Sequence, residues 1–331
     1  MHICIWFDIT NEPSGGGNQF LRALAQELAQ LGHQIDFVPR SNVDIVLVNA
    51  FNAAPGKFLR PGRVAQVRQT GCLSRWARFS QPNWWLSLKR KGPTMVHRID
   101  GVPRYYRGTI SKADAIQPAI NRLCDYTVFQ SRYSMESFAT VAPLPQHSEI
   151  IYNGVDSSLF RPPDRLRKPG KTLRFVASSW SSNPRKGFTT FAELSRIAGV
   201  SVDFVGRWPR NIDPAKVNIL GPRTSTDVAA ILQDADAMVH AAENEPCSNA
   251  IVEALASGLP ILYRDSGGNR ELAEKYGVEL SNDLSTDVAA LRERYSVLQD
   301  RVLTDQHNFS IIHVAKHYVS AFECALDWSL Q

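Results

Sequence analysis

The 331-residue chain is longer than a typical single domain, so its length favours two domains. Its composition, 44% hydrophobic and 21% charged, is that of an ordinary globular protein with enough apolar residues for sizeable cores. No stretch resembles a membrane span. The short apolar start of the chain is interrupted by Asp8 and lacks a basic leader, so we expect a buried strand rather than a signal peptide. Five scattered cysteines argue against a disulfide framework or a zinc site and fit a reducing cytoplasm.

The net charge of +5 is unevenly distributed. Residues 57–107 contain twelve Lys or Arg and one acid, Asp100, so this stretch carries a net charge of +11. Tryptophan and phenylalanine alternate with basic residues near its centre, as at a lipid interface. One interpretation is a contact with an anionic acceptor or the cytoplasmic face of a membrane, and the other is a solvated surface. No RNA or DNA motif accompanies the stretch, so nucleic acid is not expected as a partner.

The first half of the chain begins the alternation of a doubly wound α/β domain. A strand at 2–9 is followed by a glycine-rich loop and a helix over about 18–31, which has apolar residues at helical spacing and ends at Gly32. Further strands are predicted at 34–38, 44–49, 94–99 and 126–129, with a helix near 110–123. Residues 53–93 show only weak periodicity.

Proline and glycine between residues 156 and 171 mark a domain boundary. Beyond it the alternation starts again, with strands at 172–178, 202–206, 237–240 and 260–264 and helices from about 188, at 225–233 and at 248–257. The pattern therefore predicts a second α/β domain.

The most specific segment surrounds the predicted helix at 248–257. Pro246 and Ser248 or Asn249 suit its first turn and cap, and Gly258 suits its end. The start of a helix presents free N–H groups and a positive dipole end, which favours a bound phosphate. Glu245 and Glu253 are roughly 12 Å apart along such an axis. That separation is too large for an acid pair but suits hydroxyl groups at two ends of one elongated ligand.

This segment, with its Glu-x7-Glu spacing, resembles retaining glycosyltransferase family 4, whose members have the GT-B fold of two Rossmann-like domains facing across a cleft. Further matching motifs are Tyr152-Asn153-Gly154-Val155-Asp156, Ser182-Asn183-Pro184-Arg185-Lys186-Gly187-Phe188, Asp265-Ser266-Gly267-Gly268-Asn269-Arg270-Glu271 and, more thinly, His97-Arg98-Ile99-Asp100-Gly101. The resemblance implies an acceptor-side domain at 1–155 and a donor-binding domain at 156–310, with a last helix at about 311–331 that packs back onto the first domain.

The resemblance also implies the residues of the site. The expected catalytic residues are Glu245, His97, Lys186 and Arg185. The expected donor-binding residues are Glu253, Cys247, Ser248, Asn249, Gly15, Gly16, Gly17, Gly267, Gly268, Gly206, Arg207 and Arg223. Glu245 would contact the donor sugar, Glu253 the ribose, and His97 the reacting sugar.

The implied activity is transfer of a sugar from a nucleotide-diphosphate sugar to an acceptor, which is a glycan, a lipid-linked molecule or a small molecule. No cofactor and no metal are expected, so cationic side chains and a helix N-terminus must stabilise the leaving diphosphate. Many family members have Gly-Arg shortly before the lysine, where this chain has Trp180-Ser181. The cationic role therefore falls to Arg185 with Lys186, and which of them touches phosphate is open.

Alternative interpretations remain for the chain and for its motifs. A nucleotide-sugar isomerase or hydrolase of the same fold would bind the donor without an acceptor. A non-catalytic module would dock an anionic partner through residues 57–107. Asp234-Ala235-Asp236 has the spacing of a metal-binding motif of other glycosyltransferases, but it joins a helix end to a strand, which favours a structural role.

Overall fold

The computed structural model describes residues 1–10, 16–54, 57–71, 92–166 and 168–330, which form two α/β domains, each with a six-stranded parallel sheet. Helices cover both faces of each sheet, so the central strands are buried on both sides. The predicted fold class, two Rossmann-like domains facing across a cleft, is confirmed.

The N-terminal sheet is assembled from strands between residues 2 and 150. In chain order its domain contains β1 His2–Trp6, α1 Gly16–Gln30, β2 Gln34–Asp36, β3 Ile45–Asn49, β4 Asn52–Ala54, β5 Lys57–Phe58, α2 Pro61–Thr70, β6 Thr94–Ile99, α3 Pro103–Arg107, α4 Ala113–Asn121, β7 Tyr126–Phe129, α5 Arg132–Ala139 and β8 Ser148–Ile150. The parallel order is β2-β1-β3-β6-β7-β8, and β4 and β5 form a separate antiparallel pair. The order reverses at β1 and β3, where doubly wound sheets place ligands.

The C-terminal sheet uses strands between residues 173 and 279. Its domain contains β9 Leu173–Ser179, α6 Phe188–Leu194, β10 Val200–Gly206, β11 Asn218–Gly221, α7 Ser225–Asp234, β12 Ala237–His240, α8 Asn249–Ala256, β13 Ile261–Tyr263, α9 Asn269–Ala273, β14 Gly277–Glu279 and α10 Leu284–Thr304, before the final helix α11 Ile311–Leu330. The order β11-β10-β9-β12-β13-β14 is that of the Rossmann fold, with its switch point between β9 and β12.

Most predicted elements occur within a few residues of their expected ends. The strand expected at 2–9 stops at Trp6, because the amide of Phe7 turns back to the carbonyl of Ile5 at 2.7 Å. Helices α2, α3, α5, α9 and α10 and strands β4, β5, β8, β11 and β14 were not predicted. Apart from α10, which has 21 residues, these helices are 10 residues or shorter, and α2 and α3 begin with proline and end before a glycine in the left-handed region, at Gly71 and Gly108.

The last helix crosses from the C-terminal domain to the N-terminal sheet. Tyr318 of α11 packs on Phe20 of α1, with their ring centroids 5.9 Å apart, inside a core that also contains Phe322. Where the chain crosses, Val155 pairs with the start of α11: its carbonyl accepts the amide of Ile311 at 2.8 Å. The chain thus passes between the domains at Val155 and again at the start of α11, and these two connections lie side by side.

Within the described ranges, no helix is both long and apolar enough to span a bilayer. Four of the cysteines lie in these ranges and are free thiols, namely Cys4, Cys124, Cys247 and Cys324. In the same ranges, no group of three or more His, Cys, Asp or Glu side chains is placed to hold a metal ion. The centre of the predicted basic surface, residues 72–91, lies outside the described residues.

Candidate functional site

A cavity of about 310 Å³ lies between the two domains, at the carboxyl ends of both sheets. The N-terminal domain contributes the start of α1 and the ends of β3 and β6. The C-terminal domain contributes the ends of β9 and β12 and the start of α8. Ligands of doubly wound folds bind at such strand ends, so both switch points open into one candidate site.

Helix α8 directs its N-terminus into this cavity. Ser248 is its N-cap and accepts the amide of Ile251, as the sequence indicated. Cys247, Ser248 and Asn249 line the cavity wall. The first-turn amides of a helix have no carbonyl partner within the helix, so this wall favours an anion.

Glu245 and Lys186 form an ion pair beside the start of α8. Lys186 closes a short 3-10 turn that ends at Gly187, whose φ of 83° and close approach to Ala241 leave no room for a Cβ. Burial raises the pKa of Glu245, but the Lys186 ammonium, with His240, outweighs burial and holds that pKa below its usual value. Glu245 is therefore an anion at neutral pH.

His240, at the end of β12, also lines the cavity. Burial lowers its pKa to about 4, so the imidazole is neutral at physiological pH. Its Nε2 has no hydrogen-bond partner among the described residues. The sequence placed His240 at a strand end, but a lone histidine in an apolar strand carried no signal of a site.

Glu253 lines the same cavity from the second turn of α8. Burial raises its pKa to about 8, so its carboxyl group is protonated at neutral pH. Glu245 and Glu253 thus face one cavity with opposite protonation states. The difference arises because Glu245 has a cationic partner, whereas burial is the sole cause of the shift at Glu253.

Arg185 does not line the cavity, although its neighbour Lys186 does. The guanidinium of Arg185 packs on Gly108 of the N-terminal domain, so closely that a Cβ there would lie 2.7 Å from its Nε. The main-chain carbonyl of Arg185 accepts the amide of Glu243 at 2.8 Å. Of the two expected cations, Lys186 faces the cavity and Arg185 bridges the domains.

Some of the other expected glycines and arginines line the cavity, and others do not. Gly16, Gly17 and Arg223 line the cavity, whereas Arg207 does not, and Gly15 lies outside the described residues. The others provide close backbone contacts: Gly206 lies against β9, where a Cβ would be 1.9 Å from the Ser179 carbonyl oxygen, and Gly267 and Gly268 lie against the backbone of residues 244–246. These three glycines shape the walls of the site without lining the cavity.

His97 does not reach the cavity, which differs from the expectation that it lies beside the reacting sugar. It points towards α4, with Nε2 2.7 Å from the Ala50 carbonyl and Nδ1 3.2 Å from the Asn121 amide. Burial lowers its pKa to about 4. Both nitrogens are engaged, and the contact of Nε2 supports Ala50, whose φ of 49° is unusual for a residue with a side chain.

The next residue, Arg98, points to the opposite face of β6 and lines the cavity. Successive side chains of a strand alternate between faces, so His97 and Arg98 cannot share a side. Arg98 donates to Asn49 and to Asn153, each at 2.7 Å, and its guanidinium lies 4.3 Å from the Phe20 ring centroid. It thereby joins β3 to the interdomain connection.

The hydrogen bonds continue from Asn153 across the cleft. Its amide donates to Asn249 at 2.7 Å, and Asn249 in turn donates to the carbonyl of Gly16 at 2.8 Å. Arg98, Asn153, Asn249 and Gly16 therefore link both domains along one wall of the cavity.

Glu271 makes a second contact between the domains. Its carboxylate accepts the amides of Arg132 and Tyr133 at 2.7 and 2.8 Å, and the hydroxyl of Tyr152 at 2.9 Å. The two amides open α5, so Glu271 satisfies donors that the helix itself leaves unpaired. The sequence placed Glu271 in a motif but indicated no partner for it.

Residues 213–296 match the family model described as glycosyl transferases group 1. This segment is a glycosyltransferase group 1 domain. It contains Glu245, Glu253 and Glu271, together with α8, whereas Lys186 and the whole N-terminal wall lie before it. The glycosyltransferase domain therefore supplies one side of the cavity.

Two curated relatives are glycosyltransferases. The chain is 29% identical over 206 residues to a GDP-mannose-dependent alpha-mannosyltransferase of Mycobacterium tuberculosis, covering 55% of this chain and 53% of that protein. It is 21% identical to a D-inositol 3-phosphate glycosyltransferase of Corynebacterium kroppenstedtii, covering 77% of this chain and 71% of that protein. The alignment thus spans about half the length of the first relative.

Solved structures with the same fold cover the chain almost completely. HepE of Anabaena, in complex with UDP-glucose, superposes with a TM-score of 0.69 over 98% of this chain and all of its own, at 13% identity. Sucrose-phosphate synthase of Thermosynechococcus elongatus has a TM-score of 0.66, covers 97% of both chains and is 15% identical. At these identities the likeness shows the fold, which is GT-B.

Proposed function

We propose that the protein is a retaining, metal-independent glycosyltransferase of family 4 that uses a nucleotide-diphosphate sugar as donor. The observation that carries this proposal is the Lys186–Glu245 pair beside the open N-terminus of α8, in a cavity between two Rossmann-like domains. The group 1 domain over residues 213–296 supports the same activity.

Each charged group has a task in this reaction. As the glycosidic bond to the leaving diphosphate breaks, negative charge collects on the phosphate oxygens. The first-turn amides of α8 and the Lys186 ammonium are fixed donors for that charge, in a site with little water to screen them. Glu245, which Lys186 keeps ionised, accepts hydrogen bonds from hydroxyls of the donor sugar. Glu253 accepts from the ribose.

The names of the similar proteins suggest which donors to test first. HepE was crystallised with UDP-glucose, and the mycobacterial relative is named for GDP-mannose. We therefore propose a hexose carried on UDP or GDP as the donor. The acceptor class is a glycan, a lipid-linked molecule or a small molecule, and the corynebacterial relative adds D-inositol 3-phosphate to the panel.

The test is a thermal-shift panel of UDP-glucose, GDP-mannose and related nucleotide sugars, each with and without a chelator. A ligand that binds the folded state raises the melting temperature with its affinity and concentration. We expect one donor to raise it equally with and without chelator. A rise that the chelator abolishes would contradict metal independence, and no rise with any donor would contradict the function. Product analysis with and without acceptor then separates transfer from isomerisation or hydrolysis, and the anomeric configuration of the product tests retention.

We further propose a cytoplasmic enzyme that touches the membrane face through its basic stretch at 57–107. The stretch contains twelve basic residues and one acid. Neutralising its central cluster should weaken sedimentation with anionic vesicles or acceptor binding while donor binding stays unchanged. The substituted residues are Arg75, Arg78, Lys89, Arg90 and Lys91. Equal loss of donor binding would indicate that the stretch is structural.

A further inference from the structure

Unpaired polar atoms gather at the cavity. Four buried side-chain atoms that have no hydrogen-bond partner among the described residues belong to side chains lining it: Gln19 Nε2, Arg98 Nε, Asp100 Oδ1 and His240 Nε2. Burying such a group without a hydrogen-bond partner is unfavourable. A bound ligand that pairs with them would remove this cost. Three of the four belong to the N-terminal wall, opposite the proposed donor site.

Of these four atoms, Asp100 Oδ1 is the one that belongs to a carboxyl group. It directly follows β6, so it lies where the sheet opens into the cleft. Gly101 follows with a φ of 105° and lies against Pro246 in the loop before α8. A Cβ added to Gly101 would be 3.1 Å from the Pro246 side chain. This turn holds Asp100 at the boundary between the two walls, where a group bound by one domain meets a group bound by the other.

The charges around Asp100 come from three elements. Arg98 on β6 and Arg107 on α3 attract it, and Glu245 before α8 repels it. Tyr106 of α3 lines the cavity beside it, and burial, followed by the charge of Asp100, raises the pKa of this phenol so that it keeps its proton. The carboxylate of Asp100, the phenol of Tyr106 and the side-chain amide of Gln19 thus form a wall suited to hydroxyl groups. An anionic acceptor group bound at this point would face the carboxylates of both Asp100 and Glu245.

We propose that Asp100 accepts a hydrogen bond from the attacking hydroxyl of the acceptor, and that the group bearing this hydroxyl is an uncharged sugar or polyol. This assignment rests on the proposed glycosyl transfer and adds to it an acceptor-binding residue and an acceptor class. Asp100 orients the hydroxyl towards the donor sugar, which Glu245 holds from the opposite wall. A carboxylate has no proton of its own to donate, so it fixes the direction of the acceptor O–H.

The protonation of Asp100 gives the assignment a pH signature. Burial raises its pKa to about 6, although Arg98 and Arg107 act against burial. Above that pH the carboxylate is ionised and accepts the hydroxyl proton; below it the group carries its own proton and loses this ability. Turnover at subsaturating acceptor should therefore rise with pH through about 6.

The experiment compares Asp100→Asn with wild type and with Asp164→Asn, a control that changes the same charge at an exposed linker position. The donor is the nucleotide sugar that the thermal-shift panel selects, and the acceptor probes are methyl α-glucoside, methyl α-mannoside and myo-inositol. We expect wild type to glycosylate at least one probe. In Asp100→Asn, kcat/KM for that probe should fall at least 100-fold and lose its rise near pH 6. Its donor-induced shift in melting temperature, like the activity of Asp164→Asn, should be retained.

Several results would overturn the assignment, and they differ from those that would overturn the function. If wild type transfers to a probe and Asp100→Asn does so within threefold, Asp100 does not hold the acceptor. If the variant loses donor binding as strongly as acceptor turnover, Asp100 belongs to the donor site. Wild-type transfer only to anionic acceptors would contradict the uncharged class. A wild type that binds no nucleotide sugar would remove the proposed function itself.

Discussion

The two walls of the cleft are built in different ways. The centre of the C-terminal wall is a short stretch of chain, in which the loop before α8, the helix start and Glu253 follow each other within nine residues, and Lys186 and His240 join it from elsewhere in the domain. The N-terminal wall combines residues that are far apart in sequence: Gly16, Asn49, Arg98 and Asp100 come from α1 and the ends of two strands. The centre of one wall is thus local in sequence, whereas the other wall exists only after the sheet has formed.

The walls also differ in how their charges are satisfied. On the C-terminal side, Glu245 has a cationic partner from the same domain, Lys186. On the N-terminal side, Arg98 is paired with the amides of Asn49 and Asn153, and one oxygen of Asp100 has no hydrogen-bond partner within the part of the chain that the structure describes. A paired charge is preorganised for a donor that always carries a diphosphate. The unpaired polar groups of the N-terminal wall, by contrast, depend on a bound ligand for their hydrogen bonds.

The largest expected effect is that of Lys186→Ala on the C-terminal wall. Loss of the cation that pairs with Glu245 beside the α8 N-terminus should lower kcat/KM by about 10² to 10³, with the fold intact by circular dichroism. The control is Lys168→Ala, an exposed lysine of the linker. Steady-state activity of Lys186→Ala within threefold of wild type would contradict a role for this wall in stabilising the leaving group.

Arg98→Met tests the N-terminal wall. The substitution leaves the amide oxygens of Asn49 and Asn153 without their donor, so the free energy of unfolding should fall by about 2 kcal/mol. Because Asn153 also binds Asn249, donor affinity should fall as well. Urea unfolding measures the first effect and thermal shift the second. Arg63→Met, at an exposed position of α2, is the control, and equal stability of the two variants would show that the amide network is not held by Arg98.

Glu271→Ala tests whether the two walls must be held together. Removing the carboxylate deprives the first amides of α5 and the Tyr152 hydroxyl of their cross-domain partner. We expect kcat/KM to fall about tenfold, roughly 1.4 kcal/mol, and the donor-saturated protein to show a larger radius of gyration by small-angle scattering. Glu274→Ala, an exposed acid one turn away, should change neither quantity. Unaltered scattering in Glu271→Ala would refute the contribution of this contact to closure.

Glu253→Gln should change stability in the opposite direction, and only above about pH 4.5. In the folded protein the pKa of Glu253 is raised from 4.5 to about 8, so the folded state holds a proton that the unfolded state releases. The free energy of unfolding therefore falls as pH rises from about 4.5 to 8. Glutamine has no such proton, so the variant should be more stable than wild type at pH 8, by up to about 4 kcal/mol for a shift of this size, and equally stable near pH 4.

Above pH 8, where Glu253 is ionised, the same variant should bind the donor more weakly than wild type, since an amide cannot replace the carboxylate at the ribose. Melting curves at pH 4, 6 and 8, with Glu293→Gln as the exposed control, measure the stability. A parallel pH dependence in Glu253→Gln and wild type would show that Glu253 does not titrate near 8.

Much of the fold follows from local patterns. Apolar runs and Pro or Gly breaks predicted nine of the twelve strands of the two sheets, missing the edge strands β8, β11 and β14, and the β6, β7 and β12 strands occur over the predicted residues. Ser248 as the cap of α8 follows from its side chain, because an N-cap needs only a short acceptor at the right place in the chain. Most helices that were missed are short, and α2 and α3 are set by proline and glycine; the exception is α10, which has 21 residues.

Whether a residue faces the cavity could not be decided in this way. Every residue of β6 is buried, so the strand shows no alternation of apolar and polar positions, and the sequence gives no sign that Arg98 rather than His97 faces the cleft. The same holds for Arg185 and Lys186, which differ only in which side of a single turn they occupy.

The sequence by itself therefore determined the two α/β domains, the capped helix α8 and the acids around it, because these depend on residues close together in the chain. Only the tertiary structure decided which wall each side chain lines, that Glu271 joins α5, and that Asp100 lies opposite Glu245. Those relations depend on how two sheets pack and on how the domains meet, and no local pattern records them.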